Sequence, residues 1–349
     1  MSGWLIKSKD AFIVKLYDLI WRKWCELGIA GSSLSMDTKV IDPEALLLFS
    51  LGICRYEARL FDEIIDWLCT NGHLVNVQRL QQIQKKYNFT CGPQLSAVAG
   101  VLAKQARYKL KWSGLSRKYY QEPAEPLFLD KDGTPLPCPK GKDADPEFAA
   151  HGLMRGDINL RGLSRSFLPE SPACLLLRLR ALMGINARCE ILCLLASAKE
   201  MHPSEAARQT GYYQKTIQTT LVEMAQSGAV LVRKSKKEKF YRLKPGVIDS
   251  LVKPNGRIPV WINWASLLKA FEIIRLKLQE LSKISLDPLL LTSELNKTID
   301  CVRERCVDAD IEKIRGAHNA QEKDVIDQFN KNLHVFFDLA GSPLRGEKY

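Results

Sequence analysis

Apolar residues recur at three- and four-residue steps over most of the chain, which is the spacing of one face of an α-helix. This spacing predicts helices over residues 12–27 and through most of 43–87, with Asp42-Pro43-Glu44 as a start and Asn71-Gly72 as a break. In NGHLVNVQRLQQIQKKY a turn precedes a helix with Val77, Leu80 and Ile83 in one row, the pattern of a second helix-turn-helix; no basic wing follows it, so a packing or partner-binding role is expected there. Residues 122–172 are rich in proline and glycine and read as a linker with little core of its own. Asp132-Gly133, set between short apolar runs, predicts a small hairpin inside it. Past Pro254 and Pro259, Trp261, Trp264, Leu267, Leu268, Phe271, Ile274, Leu278 and Leu281 form one long apolar helical face, continued over residues 289–307.

The most informative stretch is 186–243. Its first helix, NARCEILCLLASA, carries Ile191, Leu192, Leu194 and Leu195 as an apolar stripe, with Asn186 available as cap. A short second helix starts at His202-Pro203-Ser204, where proline suits the first turn, and stops at Gly211. The third, from about Tyr213 to Ser227, turns Ile217, Leu221 and Met224 one way, so Gln214, Lys215, Gln218 and Thr219 point the other. Amides, a hydroxyl and an ammonium are groups that hydrogen-bond base edges and phosphates in a major groove. Any solvated helix is also polar, so the following segment matters more. AVLVRKSKKEKFYRLK alternates about a charged turn, as a hairpin does, and residues 229–245 hold seven Lys or Arg against one Glu. Arg233, Lys234, Lys236, Lys237 and Lys239 are the expected contacts to a phosphate backbone; the bland alternative is a solvated turn.

These residues carry a resemblance. The run from about Leu175 to Leu243 resembles the winged helix-turn-helix domain of bacterial and archaeal transcriptional regulators of the ArsR and MarR type. The shared features are the apolar first helix, HPSEAARQTG, QKTIQTTL, the SGAV joint and the KFYRL return strand. The resemblance implies DNA binding, with Gln214, Lys215, Gln218 and Thr219 at base-facing positions. Tyr213 departs from the pattern, standing where a capping serine or asparagine is common. Winged helices also serve RNA contacts and protein interfaces, so the alternative is a scaffold in an RNA-binding or protein-interaction assembly without sequence-specific DNA readout.

Charge sharpens this picture. The chain is +12 overall, and the hairpin segment supplies +6 of it. Residues 101–121 supply another +6 through Lys104, Arg107, Lys109, Lys111, Arg117 and Lys118. Tyr108, Trp112, Tyr119 and Tyr120 interleave with these cations, giving either an accessory nucleic-acid patch or an amphipathic helix with its aromatics in the core. Arg155, Arg161 and Arg165 are further candidate phosphate contacts. The ten cysteines form no CxxC pair. Cys189 and Cys193, four apart, suit a soft-ion or redox site with Cys174 or His202 less well than a buried apolar role. Neither HExxH, G-x-S-x-G nor a phosphate-binding glycine run occurs, and Asp300, Asp308 and Asp310 read as exposed helix charges.

The expected molecule is mainly α: an N-terminal helical domain (1–121), a linker (122–172), a central winged helix-turn-helix with a small β-hairpin wing (173–253) and a C-terminal helical domain (254–349). It is expected to be a transcriptional regulator rather than an enzyme, with neither metal nor cofactor. The expected partners are double-stranded DNA and a second copy bound through the C-terminal helices. Lacking a long apolar span or a signal-peptide layout, it is expected to be cytoplasmic and nucleoid-associated, with no membrane partner.

Overall fold

The computed structural model describes residues 2–31, 38–139, 141–246, 249, 259–284, 287–306, 314–317 and 322–341. Fourteen α-helices and two two-stranded sheets among these residues make the chain mainly helical. No described helix is long and apolar enough to cross a membrane. Pro254, the 253/254 boundary, Val307, Asp308 and Asp310 lie outside the described residues. The packing groups the chain into two compact units: Met1–Trp21 with Ile262–Tyr349, and Arg22–Trp261.

In the first unit the start of α1 (Ser2–Leu27) accompanies the chain's last described helices, α12 to α14. Helix α12 (Trp264–Leu281) is capped by Asn263, whose Oδ1 accepts from the Ser266 amide at 3.1 Å. Helix α13 (Pro288–Arg305) is capped by Asp287 in the same way, at 3.0 Å from the Leu290 amide. With α14 (Glu322–Leu339) they enclose the apolar face read from the sequence. Trp264, Leu267, Leu268, Phe271, Ile274, Leu278 and Leu281 are buried, and the Phe271 ring lies 5.0 Å from Phe337 and 6.1 Å from Phe12. The α12 part of the stripe expected to pair subunits is therefore covered within its own chain, whereas Leu289 and Leu290 at the start of α13 are exposed.

The second unit is built on α2 (Pro43–Ile53), in which every residue is buried. Around it stand α3 (Ala58–Asn71), α4 (Val77–Tyr87) and α5 (Gly92–Ala103). Asp42 caps α2, accepting from the Glu44 and Ala45 amides, and α3 ends at the Asn71-Gly72 break. Past the end of α5, residues 104–121 form one further helical turn, α6 (Lys109–Trp112).

The proline-rich segment contributes more core than its composition suggests. Strand β1 (Glu125–Pro126) pairs in parallel with β2 (Leu153–Met154), and α7 (Pro146–Ala149) lies between them in sequence. Leu127, Phe148 and Leu153 are fully buried, and the Phe61 ring of α3 meets Phe128 and Phe148 edge-on at 5.8 Å each. The hairpin at Asp132-Gly133 is present: Leu129 bridges Pro135, and Asp130 N–H donates to Thr134 O at 2.8 Å. Arg155 is corrected from phosphate contact to structural cation, since it is buried and bidentate to Asp62 at 2.6 and 3.0 Å. Arg161 pairs with Glu63 at 3.1 Å, whereas Arg165 remains exposed.

The chain then runs through α8 (Leu175–Met183), α9 (Ala187–Ser197), α10 (Pro203–Thr210), α11 (Gln214–Gln226) and the antiparallel strands β3 (Val230–Ser235) and β4 (Glu238–Leu243).

Candidate nucleic-acid interface

Asn186 Oδ1 accepts from the Arg188 amide at 3.0 Å, so α9 begins on the cap its sequence offers. Pro203 opens α10, His202 Nδ1 accepts from the Ser204 amide at 3.3 Å, and Gly211 closes the helix at φ +77°. Glycine suits that left-handed backbone, and a Cβ there would also meet Ile83 Cγ1 of α4 at 3.3 Å. Tyr213 begins α11 without a side-chain cap bond, leaving the first-turn N–H groups without that partner.

Ile217, Leu221 and Met224 turn inward and join Ile191, Leu195, Ala206, Val230 and Tyr241 in one buried cluster. Their burial orients α11 by its apolar stripe. Gln214, Lys215, Gln218 and Thr219 are consequently all exposed on the opposite face. Cys189 and Cys193 lie in the same cluster as small apolar side chains. Burial pushes the Cys189 thiol up to about 12 and raises that of Cys193 well above its ordinary value. Among the described residues no group of three or more His, Cys, Asp or Glu side chains is placed to hold a metal ion.

The ribbon's register runs from Val230 opposite Leu243 to Ser235 opposite Glu238, and Lys236 turns the chain at φ +53°. Side chains alternate between its faces. Val230 and Tyr241 enter the core on one face, and the same face carries Lys234 directly opposite Lys239 near the tip. Like charges in that relation repel. Lys234, Lys236, Lys237 and Lys239 are all exposed. Arg233, on the other face, differs from them: it pairs with Glu200 at 2.5 and 2.8 Å, and its guanidinium stands 4.8 Å over the Phe240 ring. That hydrogen-bonded pairing raises the Arg233 pKa and lowers that of Glu200. Met201 supplies a third ribbon partner, exchanging backbone bonds of 2.8 and 2.9 Å with Tyr241. A one-residue strand leaves no alternation to detect; an apolar residue just before His202-Pro203 was its only trace.

The basic segment at 101–121 is largely engaged within its own unit. Tyr108 and Trp112 are buried. Lys104 pairs with Glu147 at 2.9 Å, Arg107 donates to Cys69 O, Lys111 Nζ donates to His73 O at 2.7 Å and Lys118 Nζ to Gln81 Oε1 at 3.3 Å. Partial burial also brings the Lys111 ammonium down to about 8. Lys109 and Arg117 remain exposed. Tyr108 and Trp112 therefore follow the core reading, and of the bonded cations only Lys104 is offset by a carboxylate, the others being held by neutral oxygens.

Below α11 lies a feature the sequence did not reveal: a buried ionic network tying the α10–α11 turn to the N-terminal helices. Arg79 of α4 donates to Asp42 at 2.8 and 2.5 Å, to Glu44 at 2.6 Å and to Thr210 O at 2.7 Å. Arg180 of α8 donates to Glu44 at 2.7 and 2.8 Å and to Glu190 of α9 at 2.5 Å. Tyr212, in the turn itself, donates to Glu190 at 3.3 Å and accepts from Asn76 Nδ2 at 2.9 Å. Burial alone would raise the Asp42 carboxyl, yet Arg79 beside it holds it below the ordinary value. Three carboxylates around two guanidinium groups keep both arginines firmly protonated. Buried ions so paired fix geometry more than they add stability, and here the geometry is that of the turn that aims α11.

No protein-family model, curated protein or solved structure matches this chain. Its role is therefore read from the arrangement itself: an exposed polar helix face, a lysine-tipped ribbon on the same small core, and a rigid base beneath both.

Proposed function

We propose that residues 173–253 form a winged helix that binds double-stranded DNA with sequence preference, and that the protein is a transcriptional regulator. One observation carries this reading. The outward face of α11 stands in solvent beside a ribbon that holds Lys234 against Lys239, an arrangement costly by itself and relieved by a phosphate anion. The B-DNA major groove admits an α-helix. The Gln214 and Gln218 amides suit the N6 and N7 edge of adenine, the Lys215 ammonium suits guanine O6 and N7, and the Thr219 hydroxyl and methyl suit either partner of an A·T pair. Lys234, Lys236, Lys237 and Lys239 would grip phosphates without reading sequence, while Arg233 holds the ribbon to Glu200. The Met201–Tyr241 pairing supports the same topology, since it anchors the ribbon beside the start of α10.

Selection from random duplexes followed by binding titrations tests this proposal. Gln218→Ala is expected to flatten discrimination among selected sites by about 1–3 kcal/mol at one position, the value of a bidentate base contact. Lys236→Glu with Lys237→Glu is expected to weaken every duplex alike and to make the salt dependence shallower. Selected duplexes bound no better than random ones, with RNA or a protein partner bound more tightly, would replace this reading with the scaffold alternative.

A further inference from the structure

A second basic feature adjoins α11 at its other end. A cleft of about 520 Å³ opens between α4 and the α10–α11 turn, walled by Lys85 and Lys86 on one side and by Ser204, Arg208, Tyr212 and Tyr213 on the other. Arg208 is hydrogen-bonded to Glu205, and Lys85 and Lys86 stand exposed on the α4 side, the Lys86 ammonium 4.9 Å from the Tyr87 ring. Tyr213 leaves the first turn of α11 without a side-chain cap, which adds N–H groups and the positive helix end to the same place. The walls are held in register: Gly211 approaches Ile83 closely, Arg79 bonds Thr210 O, and Asn76 bonds Tyr212. Lys118 Nζ donates to Gln81 Oε1, one turn earlier on α4, at 3.3 Å. The ribbon, by contrast, is tethered to the last turn of α11, four residues past Gln226.

We propose that this cleft binds the DNA phosphate backbone flanking the segment read by α11, so that the N-terminal helices lengthen the footprint of the protein on duplex DNA. The inference rests on α11 binding duplex. A wall bearing Lys85 and Lys86 beside the first turn of a groove-bound helix would meet the backbone that borders the groove, and phosphate contacts of this kind set register and affinity without reading bases.

The test compares the full chain with Lys85→Gln/Lys86→Gln, and with Lys323→Gln/Lys331→Gln, which removes the same charge from exposed positions on α14. Anisotropy titrations over a salt series would use a selected site on duplexes of about one and about two helical turns, roughly 10 and 21 base pairs. On the longer duplex the cleft variant is expected to lower the magnitude of the log Kd against log salt slope by about 2, the loss of two phosphate contacts. On the shorter duplex it should match wild type, and the α14 variant should match wild type on both. Both variants keep surface positions only, and equal thermal melting would confirm that folding is unaffected. A wild-type slope retained on the longer duplex, or an equal change in the α14 variant, overturns the cleft proposal while leaving the α11 reading intact. Wild-type protein that binds neither duplex overturns both.

Discussion

Lys236 holds a left-handed backbone conformation that lysine rarely adopts, beside Lys237 at the tip of a ribbon closed by Ser235 and Glu238. That conformation costs a non-glycine residue about 1–2 kcal/mol. Lys236→Gly is therefore expected to leave urea stability unchanged or raise it by up to about 1 kcal/mol, because relief of strain is partly offset by the added freedom of the unfolded chain. The same change should weaken binding to every duplex. Loss of stability on that substitution would show that the lysine side chain itself braces the turn. The cysteines give a second expectation at this scale. Cys174 and Cys189 are pushed up to about 12 by burial, and Cys193 also rises, so in native protein at pH 8 a thiol reagent should label the half-buried Cys138 and Cys301 first. Mass spectrometry of labelled peptides checks this, and early modification of Cys193 would show that the α9 core opens readily. Much at this scale was legible in sequence. Asn186, Asp42 and Gly211 are recognisable as helix ends because a cap acts on amides two or three residues away, well inside a local window.

Helices in this protein are aimed by contacts that no local window contains. The outward face of α11 followed from periodicity, but the angle of the α10–α11 turn depends on Arg79, Arg180, Glu44 and Glu190, which come from four different helices. Removing one partner from such a buried set strands an uncompensated charge and typically costs about 3–5 kcal/mol. Arg180→Met is expected to lower stability by that order in denaturant unfolding and, on the DNA-binding role proposed for α11, to weaken affinity for a selected duplex. A variant as stable as wild type would show that the network is not charged or not closed in solution. The proline-rich segment teaches the same lesson. Its composition predicts a linker, yet Leu127 and Phe148 become core, Phe148 against Phe61 of α3.

For the whole molecule, acid sensitivity follows from the network's carboxylates. Asp42 would be raised by burial, but Arg79 outweighs this and lowers it, so the folded value lies under the unfolded value of about 3.9. A depressed carboxylate contributes stability that is fully present above its unfolded pKa and is lost as pH falls through its folded value. Urea midpoints measured from pH 7 to pH 3 should hold steady and then drop below about pH 4, with a shallower drop in Asp42→Asn. Glu294, brought to about 2 mainly by its hydrogen bond to Lys277 and then Lys297, adds little because that pair faces solvent. A flat profile to pH 3 in wild-type protein would contradict the ionic account. Charge also looks different across the whole molecule than along the chain. The +6 segment at 101–121 has several of its cations bonded to Glu147, Cys69 O, His73 O and Gln81, whereas the less conspicuous Lys85 and Lys86 flank the α11 turn.

The amino-acid sequence by itself determined the helical character of the chain, the caps, the alternating ribbon and which side of α11 is polar. These depend on residues within a turn or two of each other, where spacing and side-chain chemistry suffice. Only the tertiary structure decided that the α12 part of the C-terminal stripe is covered by its own chain, that Arg155 and Arg233 already hold carboxylates, and that five ionised side chains converge beneath the α10–α11 turn. Coulomb attraction and burial act between neighbours in space, and within the ionic network those neighbours stand up to 136 residues apart along the chain.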